Sequence, residues 1–241
     1  MGYRMRPEID FASRAMQGHR DDQEDYHAFK QLGDRVLFVL ADGAGGQASG
    51  EVASQTAAEG FLDYFAQSAD EVASSLFGAL QAGNRKLALF MDGDPARRST
   101  MATTLLAAAV DGDKLNWISV GDSPLLMFRA CELSRLNADH SAAGQGATSA
   151  HAHNVLQSAL VGGRIPMIDW RREPFALLPG DILVAASDGL WTLSGEEIAM
   201  CLEEVTAQDA AEIAQALLQK VKECEKPRQD NVTVGIIKIQ E

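Results

Sequence analysis

Three aspartates stand where an apolar run meets a turn. Asp42 closes RVLFVLA ahead of a glycine cluster, Asp188 closes DILVAAS, and Asp230 precedes NVTVGI. Strand ends in a layered fold can converge on one edge, and carboxylates brought together there repel one another unless cations neutralise them. The chemistry on offer is that of hard cations held by oxygen. Asp-Gly is also a good turn in its own right, and the stretches DGDP from Asp92 and DGDK from Asp111 read as turns only. Asp42 and Asp188 differ from these in closing long apolar runs.

The glycines after Asp42 raise a rival chemistry. Gly43-Ala44-Gly45-Gly46-Gln47-Ala48 matches the dinucleotide fingerprint G-x-G-x-x-[GA], and Asp63 lies about 20 residues further on, where an acid would meet the ribose. Three features oppose it. Asp42 would set a carboxylate beside a pyrophosphate, Asp63 sits within the helical stretch FLDYFAQ, and a second helix follows the first, so no β-α-β unit forms.

The elements that must position these acids follow from hydropathy. Short strands are expected over 8–15 and 25–30, and a buried one over 35–41. A helix over about 48–66 places Val52, Thr56, Phe61 and Tyr64 near one face, and a second over about 70–91 does so with Val72, Leu76, Leu80, Leu87 and Phe90. Next come the strands ATTLLAAAV, KLNWISV and LLMFRA, joined by turns at Asp111-Gly112-Asp113 and Gly121-Asp122-Ser123. Connections this short imply an antiparallel meander. The small, polar, glycine-containing segment 141–153, SAAGQGATSAHAH, reads as a mobile surface loop. DILVAASDG is a buried strand, helices follow near 195–205 and 208–223 with Ile213, Leu217 and Val221 facing the core, and NVTVGIIKI is the last strand. Blocks of helices and blocks of strands give an α+β fold of antiparallel sheets covered by helices, in one domain over 1–241.

Composition narrows the partners. With 46% apolar and 23% charged residues, the 241-residue chain has the make-up of a globular protein with a full core. Thirty-four acids against 21 Lys and Arg give a net charge of -13, which repels a phosphate backbone, and no basic run offsets it. Nucleic acid is therefore not expected as a partner. Cys131, Cys201 and Cys224 have no C-x-x-C spacing, which argues against a disulfide framework or a zinc site and fits a reducing cytoplasm. MGYRMRPEID lacks an apolar signal core and no run of 18 apolar residues occurs, so neither a signal peptide nor a membrane span is expected.

Seven segments in order, GHRDDQEDYHAF, LADGAGGQASGEVAS, MATTLLAAAV, ISVGDSPLLMFR, LNADHS, LLPGDILVAASDGLW and RQDNVTVGI, resemble the metal-dependent protein serine/threonine phosphatases of type 2C, the PPM family, in its bacterial form. The resemblance spans nearly the whole chain. It implies an α-β-β-α sandwich and two Mg or Mn ions, with Asp42 bridging them, the Gly43 carbonyl on one, and Asp188 and Asp230 on the other. Such ions take few protein ligands and keep many waters. By the same resemblance a hydroxide shared by the ions attacks phosphorus in line. Glu24 and Asp25 act through bound water, Arg20 grips the substrate phosphate with its bidentate fork, and Asp122 helps hold a third, weaker ion. The bland readings are solvated surface acids for Glu24 and Asp25, an arginine paired with Asp21 or Asp22 for Arg20, and a plain turn for Asp122.

The chain also departs from the pattern. Ala44 stands where eukaryotic members often carry a histidine, a candidate general acid; bacterial members commonly lack it. Pro124 replaces an arginine, Ala102 replaces a glycine, and 141–153 is shorter than the flap of many bacterial members. His151 and His153, an H-x-H without a third ligand, read as exposed histidines. Other phosphatase chemistries lack their nucleophiles: Cys131 and Cys224 are each followed too soon by arginine for C-x5-R, and Asp92 and Asp111 begin D-x-D but end in Ala96 and Leu115. The expected function is hydrolysis of phosphoserine and phosphothreonine in proteins, opposing a bacterial Ser/Thr kinase, by a monomer. The alternative is a catalytically weak, phosphoprotein-binding pseudophosphatase.

Overall fold

A computed structural model describes residues 7–44, 49–147 and 155–240. Its strands form two antiparallel sheets. In the first the order is β1 (Ile9–Met16), β12 (Val232–Ile239), β11 (Ile182–Ala186), β7 (Leu125–Arg129) and β8 (Glu132–Arg135). The second runs β10 (Phe175–Ala176), β6 (Lys114–Val120), β5 (Leu105–Asp111), β3 (Arg35–Ala44) and β2 (Asp25–Leu32), with β4 (Ala102–Thr103) on the end of β3 and β9 (Asp169–Trp170) beside β6. The helices are α1 (Ser49–Gln67), α2 (Val72–Met91), α3 (Pro95–Thr100), α4 (Gly195–Val205) and α5 (Ala210–Glu223).

Strand alternation sorts the apolar side chains into separate layers. On β3, Leu37, Val39 and Ala41 pack with Ala53, Phe61, Leu76 and Leu80 of α1 and α2. Phe38 and Leu40, on the opposite face, meet Leu125, Leu183 and Ile237 of the other sheet. Val232, Val234 and Ile236 of β12 turn outward to Ile213, Leu217 and Val221 of α5. The order is thus helix, sheet, sheet, helix, the expected α+β sandwich. Because β3 is covered on both faces, its sequence is a continuous apolar run. Burying one such Leu or Phe stabilises by about 1.5–3 kcal/mol. Capping boxes, Ser194 with Glu197 and Asp209 with Glu212, start α4 and α5.

Several expectations are corrected. The buried stripe of α1 is Ala53, Ala57, Phe61 and Phe65, whereas Tyr64 is 41% exposed. Hydropathy favours the larger residues, but α1 and α2 approach so closely that a Cβ on Gly83 would lie 2.5 Å from the Ala57 carbonyl oxygen, and only small side chains fit there. On α2, Phe90 is 40% exposed and Met91 is buried in its place.

The run ATTLLAAAV is broken at Thr104, whose hydroxyl accepts from the Asp42 amide at 3.0 Å, so the ladder is interrupted at Asp42 itself. Nor do β6 and β7 form a hairpin. β6 pairs with β5 in one sheet and β7 with β11 in the other. A short link rules out a parallel crossover, but it also permits an arch from sheet to sheet. Here the arch is Gly121–Pro124, with Gly121 at φ 110. Asn137 pins it, accepting from Leu125 N at 2.8 Å and donating to Ser123 O at 2.9 Å and Ser119 Oγ at 3.1 Å.

The described part of segment 141–153 is tied down: Ser141 bridges Leu156, and Ala142 N donates to Val155 O at 2.8 Å. Residues 148–154, with His151 and His153, lie outside the described residues, as do Gly45 and Gly46.

Candidate active site

The pleat that builds the inter-sheet layer also aims the acids. Asp42 continues the face of Phe38 and Leu40, and Asp25 continues that of Phe29. From the opposite sheet, Thr233 shares the face of Ile237, and Ser187 follows Leu183 and Ala185. Asp25 and Asp42 are register partners in the β2–β3 ladder. Apolar layer therefore gives way to carboxylates at one end of the sandwich.

Asp25 joins the two sheets. Its Oδ2 accepts from Ser187 Oγ at 2.8 Å and Thr233 Oγ1 at 2.7 Å. Its Oδ1 is buried and has no hydrogen-bond partner among the described residues. Burial raises its pKa to about 7; the two hydroxyls pull against that rise, and the charges of Asp188 and Asp230 add to it.

Asp42 is held by its backbone. Its amide donates to Thr104 Oγ1, and its carbonyl accepts from Thr104 N at 2.9 Å and Thr103 Oγ1 at 3.0 Å. The residue stays partly open to solvent, yet burial, followed by the charges of Asp25, Asp188, Asp122 and Asp230, holds its carboxyl well above the usual carboxylate range. Asp188, on the 3-10 turn Asp188–Thr192 after β11, rises to about 6 through burial and Asp230, countered by Arg20, Lys226 and the Gly189 amide.

Gly43 and Gly50 bring the ends of β2, β3 and α1 together. A Cβ on Gly43 would lie 2.2 Å from the Gly50 carbonyl oxygen, and one on Gly50 would lie 2.3 Å from Glu24 Oε1. Gly43 N donates to the Glu24 carbonyl at 3.1 Å. Glu24 Oε1 is also buried without a partner among the described residues. Burial raises the Glu24 pKa, while Arg20 and the Gly50 amide partly offset it.

Arg20 reaches the cluster from the segment before β2. Its Nη2 lies 2.5 Å from Asp230 Oδ2, and its side chain is 51% exposed. The alternative partners Asp21 and Asp22 are not used in this way. Asn231, 4% exposed, fixes the segment: its Oδ1 accepts from Glu24 N at 2.9 Å, and its Nδ2 donates to Gln17 O at 2.8 Å and Asp22 O at 3.1 Å. Gly18, at φ +67, packs so tightly that a Cβ would meet the Asp230 carbonyl oxygen at 2.3 Å. Gln229 extends the clamp, its amide donating to His19 Nδ1 at 3.2 Å and its side chain accepting from Thr192 Oγ1 at 2.7 Å.

Asp122 lies in the Gly121–Pro124 arch, 8% exposed. Burial and the charge of Asp188 raise its pKa to about 7, and Arg135, which donates to its carbonyl at 2.8 Å, partly counters them. It belongs to the edge of the cluster, and the arch explains its place better than a hairpin does.

The structure thus gathers Asp42, Asp188, Asp230, Asp25, Glu24, Arg20 and Asp122 in one region. The donors are all oxygen, most of the acids are costly to ionise without a cation, and two buried oxygens lack donors. This set fits hard divalent ions. Among the described residues no three acidic, imidazole or thiol groups close into an all-protein cage, so ions here would rely on few protein ligands and on water. Asp42, Asp188 and Asp230 are partly exposed at this end of the sandwich, whereas Asp25 and Asp122 are buried. Hollows of about 340 and 550 Å³ lie elsewhere, against Tyr64, Gly78 and Leu89 and against Gln208, Asp209 and Gln215.

Ser187, Thr233, Thr104 and Asn231 were not singled out by the sequence reading. Ser187 and Asn231 adjoin Asp188 and Asp230, and Thr233 shares the inward face, so adjacency and pleat parity are the signals that find them.

Comparison with known proteins agrees with this geometry. The profile of the family described as protein phosphatase 2C matches residues 17–229. The serine/threonine protein phosphatase PstP of Mycobacterium tuberculosis is 33% identical over 212 residues, covering 83% of this chain. The chain spans only 40% of that relative's length. Protein phosphatase PhpP of Streptococcus pneumoniae is 28% identical, over 92% of this chain and 94% of the relative. The catalytic domain of PstP, solved in complex with two manganese ions, superposes with a TM-score of 0.80 at 29% identity, covering 97% of this chain and 99% of that one.

Proposed function

The chain belongs to the protein phosphatase 2C family, and from that premise we propose that it is a divalent-metal-dependent phosphatase hydrolysing phosphoserine and phosphothreonine in proteins. The observation that carries this reading is the convergence of Asp42, Asp188, Asp230 and Asp25 at the inter-sheet edge, with Asp25 Oδ1 buried and unpartnered beside an exposed arginine.

Asp42, the Gly43 carbonyl, Asp188 and Asp230 would hold two Mg or Mn ions, Glu24 and Asp25 would act through water, and Asp122 would serve a third, weaker one. When bound, such ions lower the pKa of water and offset charge on a transferring phosphoryl group. The chain supplies the rest. Ser187 and Thr233 engage Asp25 Oδ2 and leave Oδ1 free to accept a proton from water. Arg20 holds the phosphate by its fork, orienting phosphorus toward the acids. Ala44 offers only a methyl group, so the proton for the departing alcohol does not come from this side chain.

A single phosphatase domain over 1–241, with a short flap-like loop at about 141–153, works as a monomer in the cytoplasm against a Ser/Thr kinase or its targets. Among the described residues no helix is long and apolar enough to cross a membrane. The test is hydrolysis of a phosphothreonine peptide with Mn. Loss of turnover with EDTA and in Asp42→Ala is expected; undiminished turnover by Asp42→Ala would sink the assignment. Metal binding without turnover on any phosphopeptide would favour a pseudophosphatase.

A further inference from the structure

The turn Asp188–Thr192 and the segment before Asp230 form one side of the site, and this side carries cations that the chemistry above does not use. Lys226 Nζ lies 3.4 Å from Thr192 Oγ1, and its charge reaches Asp188. Trp191, on the same turn, is 40% exposed. Arg228 is exposed two positions before Asp230. Among the described residues, neither Lys226 nor Arg228 pairs with a carboxylate, in a chain with 34 acids and only 21 Lys and Arg.

The backbone between α5 and Asp230 is held in an unusual shape. Glu225 at φ 46 and Arg228 at φ 61 both lie in the left-handed region, which non-glycine residues seldom adopt. Such conformations persist where the surroundings over-determine them, and they concentrate at functional sites. Here Gln229 supplies the constraint: its amide donates to Lys226 O at 3.2 Å and to His19 Nδ1, and its side chain donates to Gly189 O at 3.3 Å. The stretch of backbone that carries both cations is therefore held against the turn after β11 and next to Asp230.

We propose that Lys226 and Arg228 form a selectivity rim that reads acidic side chains flanking the phosphorylated residue, so that the substrates are phosphoserine or phosphothreonine set in acidic stretches of protein. The inference rests on the phosphatase reading and names its substrate class. The reach is suitable. A 3-10 turn rises about 2 Å per residue, which sets Thr192 about 8 Å along from Asp188. An extended peptide advances about 3.3–3.6 Å per residue, so a carboxylate two positions from the phosphorylated residue spans a similar distance. Exposed pairs of this kind are weak singly, about 0.2–1 kcal/mol each, and two of them together predict a preference of roughly threefold to tenfold.

The experiment compares three phosphothreonine peptides of equal length, with Glu, Gln or Lys at two positions on each side, hydrolysed by the intact protein with Mn. The expected order of kcat/KM is Glu over Gln over Lys. Raising salt should shrink the Glu-to-Gln ratio by screening, and the ratio cancels any salt effect on the phosphate itself. The double variant Lys226→Glu with Arg228→Glu should reverse the order. Equal rates on all three peptides in the wild type overturn the rim, and so does a preference that survives high salt or the double variant. Failure to hydrolyse any of the three peptides overturns the phosphatase reading and the rim with it.

Discussion

Arg20 and Asp230, 210 positions apart in the chain, meet in an ion pair of 2.5 Å. A guanidinium suited to a phosphate is thus docked on an acid suited to an ion. On the proposed mechanism, neutralising Asp230 with a cation would weaken that hold and free the fork for substrate. Arg20→Lys keeps the charge but loses the planar, bidentate geometry. Its KM for a phosphopeptide should rise roughly 10- to 100-fold, the loss expected for one charge-assisted bond of about 1.5–3 kcal/mol, with a smaller change in kcat. Inhibition by inorganic phosphate should weaken in parallel. Michaelis curves with an unchanged KM would falsify this role.

Asp42→Asn should move function and stability in opposite directions. The substitution removes a charge that burial and neighbouring acids disfavour, so the metal-free variant should unfold at a temperature equal to or above wild type. Turnover and stabilisation by Mn should both be lost, turnover by at least about two orders of magnitude, because bound ions supply several kcal/mol of transition-state stabilisation at about 1.4 kcal/mol per factor of ten. Thermal unfolding with EDTA and with Mn measures both signs. A variant that is less stable in EDTA and still stabilised by Mn contradicts the account.

The same burial fixes a pH dependence. Asp25 is raised from 3.8 to about 7. An acid raised on folding binds more protons when folded, so its favourable contribution is fully present below its unfolded pKa and is lost as pH rises through the folded one. In EDTA the difference in unfolding temperature between wild type and Asp25→Asn should therefore shift against wild type from about pH 4 to 7. Saturating Mn should restore wild type at pH 7.5, because ionised carboxylates are the form that binds a cation. A flat difference curve is the contrary outcome.

Asn231→Ala removes three hydrogen bonds to the segment bearing Arg20 and Glu24. Gln17 and Asp22 are exposed, so their carbonyls can turn to water, and the Glu24 amide is the group left orphaned, at a cost of about 1–3 kcal/mol. In the remaining folded protein, KM for the phosphopeptide should rise more than the activity loss explained by stability alone. Assays well below the unfolding temperature separate the two; equal KM for both proteins counts against a positioning role.

Much of this was legible before any coordinates. Doubly covered strands announce themselves as unbroken apolar runs, which is why RVLFVLA and DILVAAS located Asp42 and Asp188. Pleat parity adds direction, since Asp42 shares its face with Phe38 and Leu40. Two things were hidden. Local spacing does not distinguish a hairpin from an arch, so the sequence places Gly121–Pro124 within one sheet although it joins two. Residues that act through others leave little signature of their own: Ser187 and Thr233 matter because Asp25, far away in the chain, arrives between them.

Gly235 and Phe38 carry a further consequence. A Cβ on Gly235 would lie 2.3 Å from the Phe38 ring, so the two sheets rest against each other there with no spare room. Asp42 belongs to one sheet, while Asp188 and Asp230 flank strands of the other. On the proposed mechanism the acids would act as a vernier on the sandwich: a slip of a fraction of an ångström between layers, too small to disturb either sheet, would spoil the alignment that turnover requires. Enzymatic activity should accordingly fade in Gly235→Ala before circular dichroism registers any change, making the reaction itself the finest gauge of how well the layers are seated.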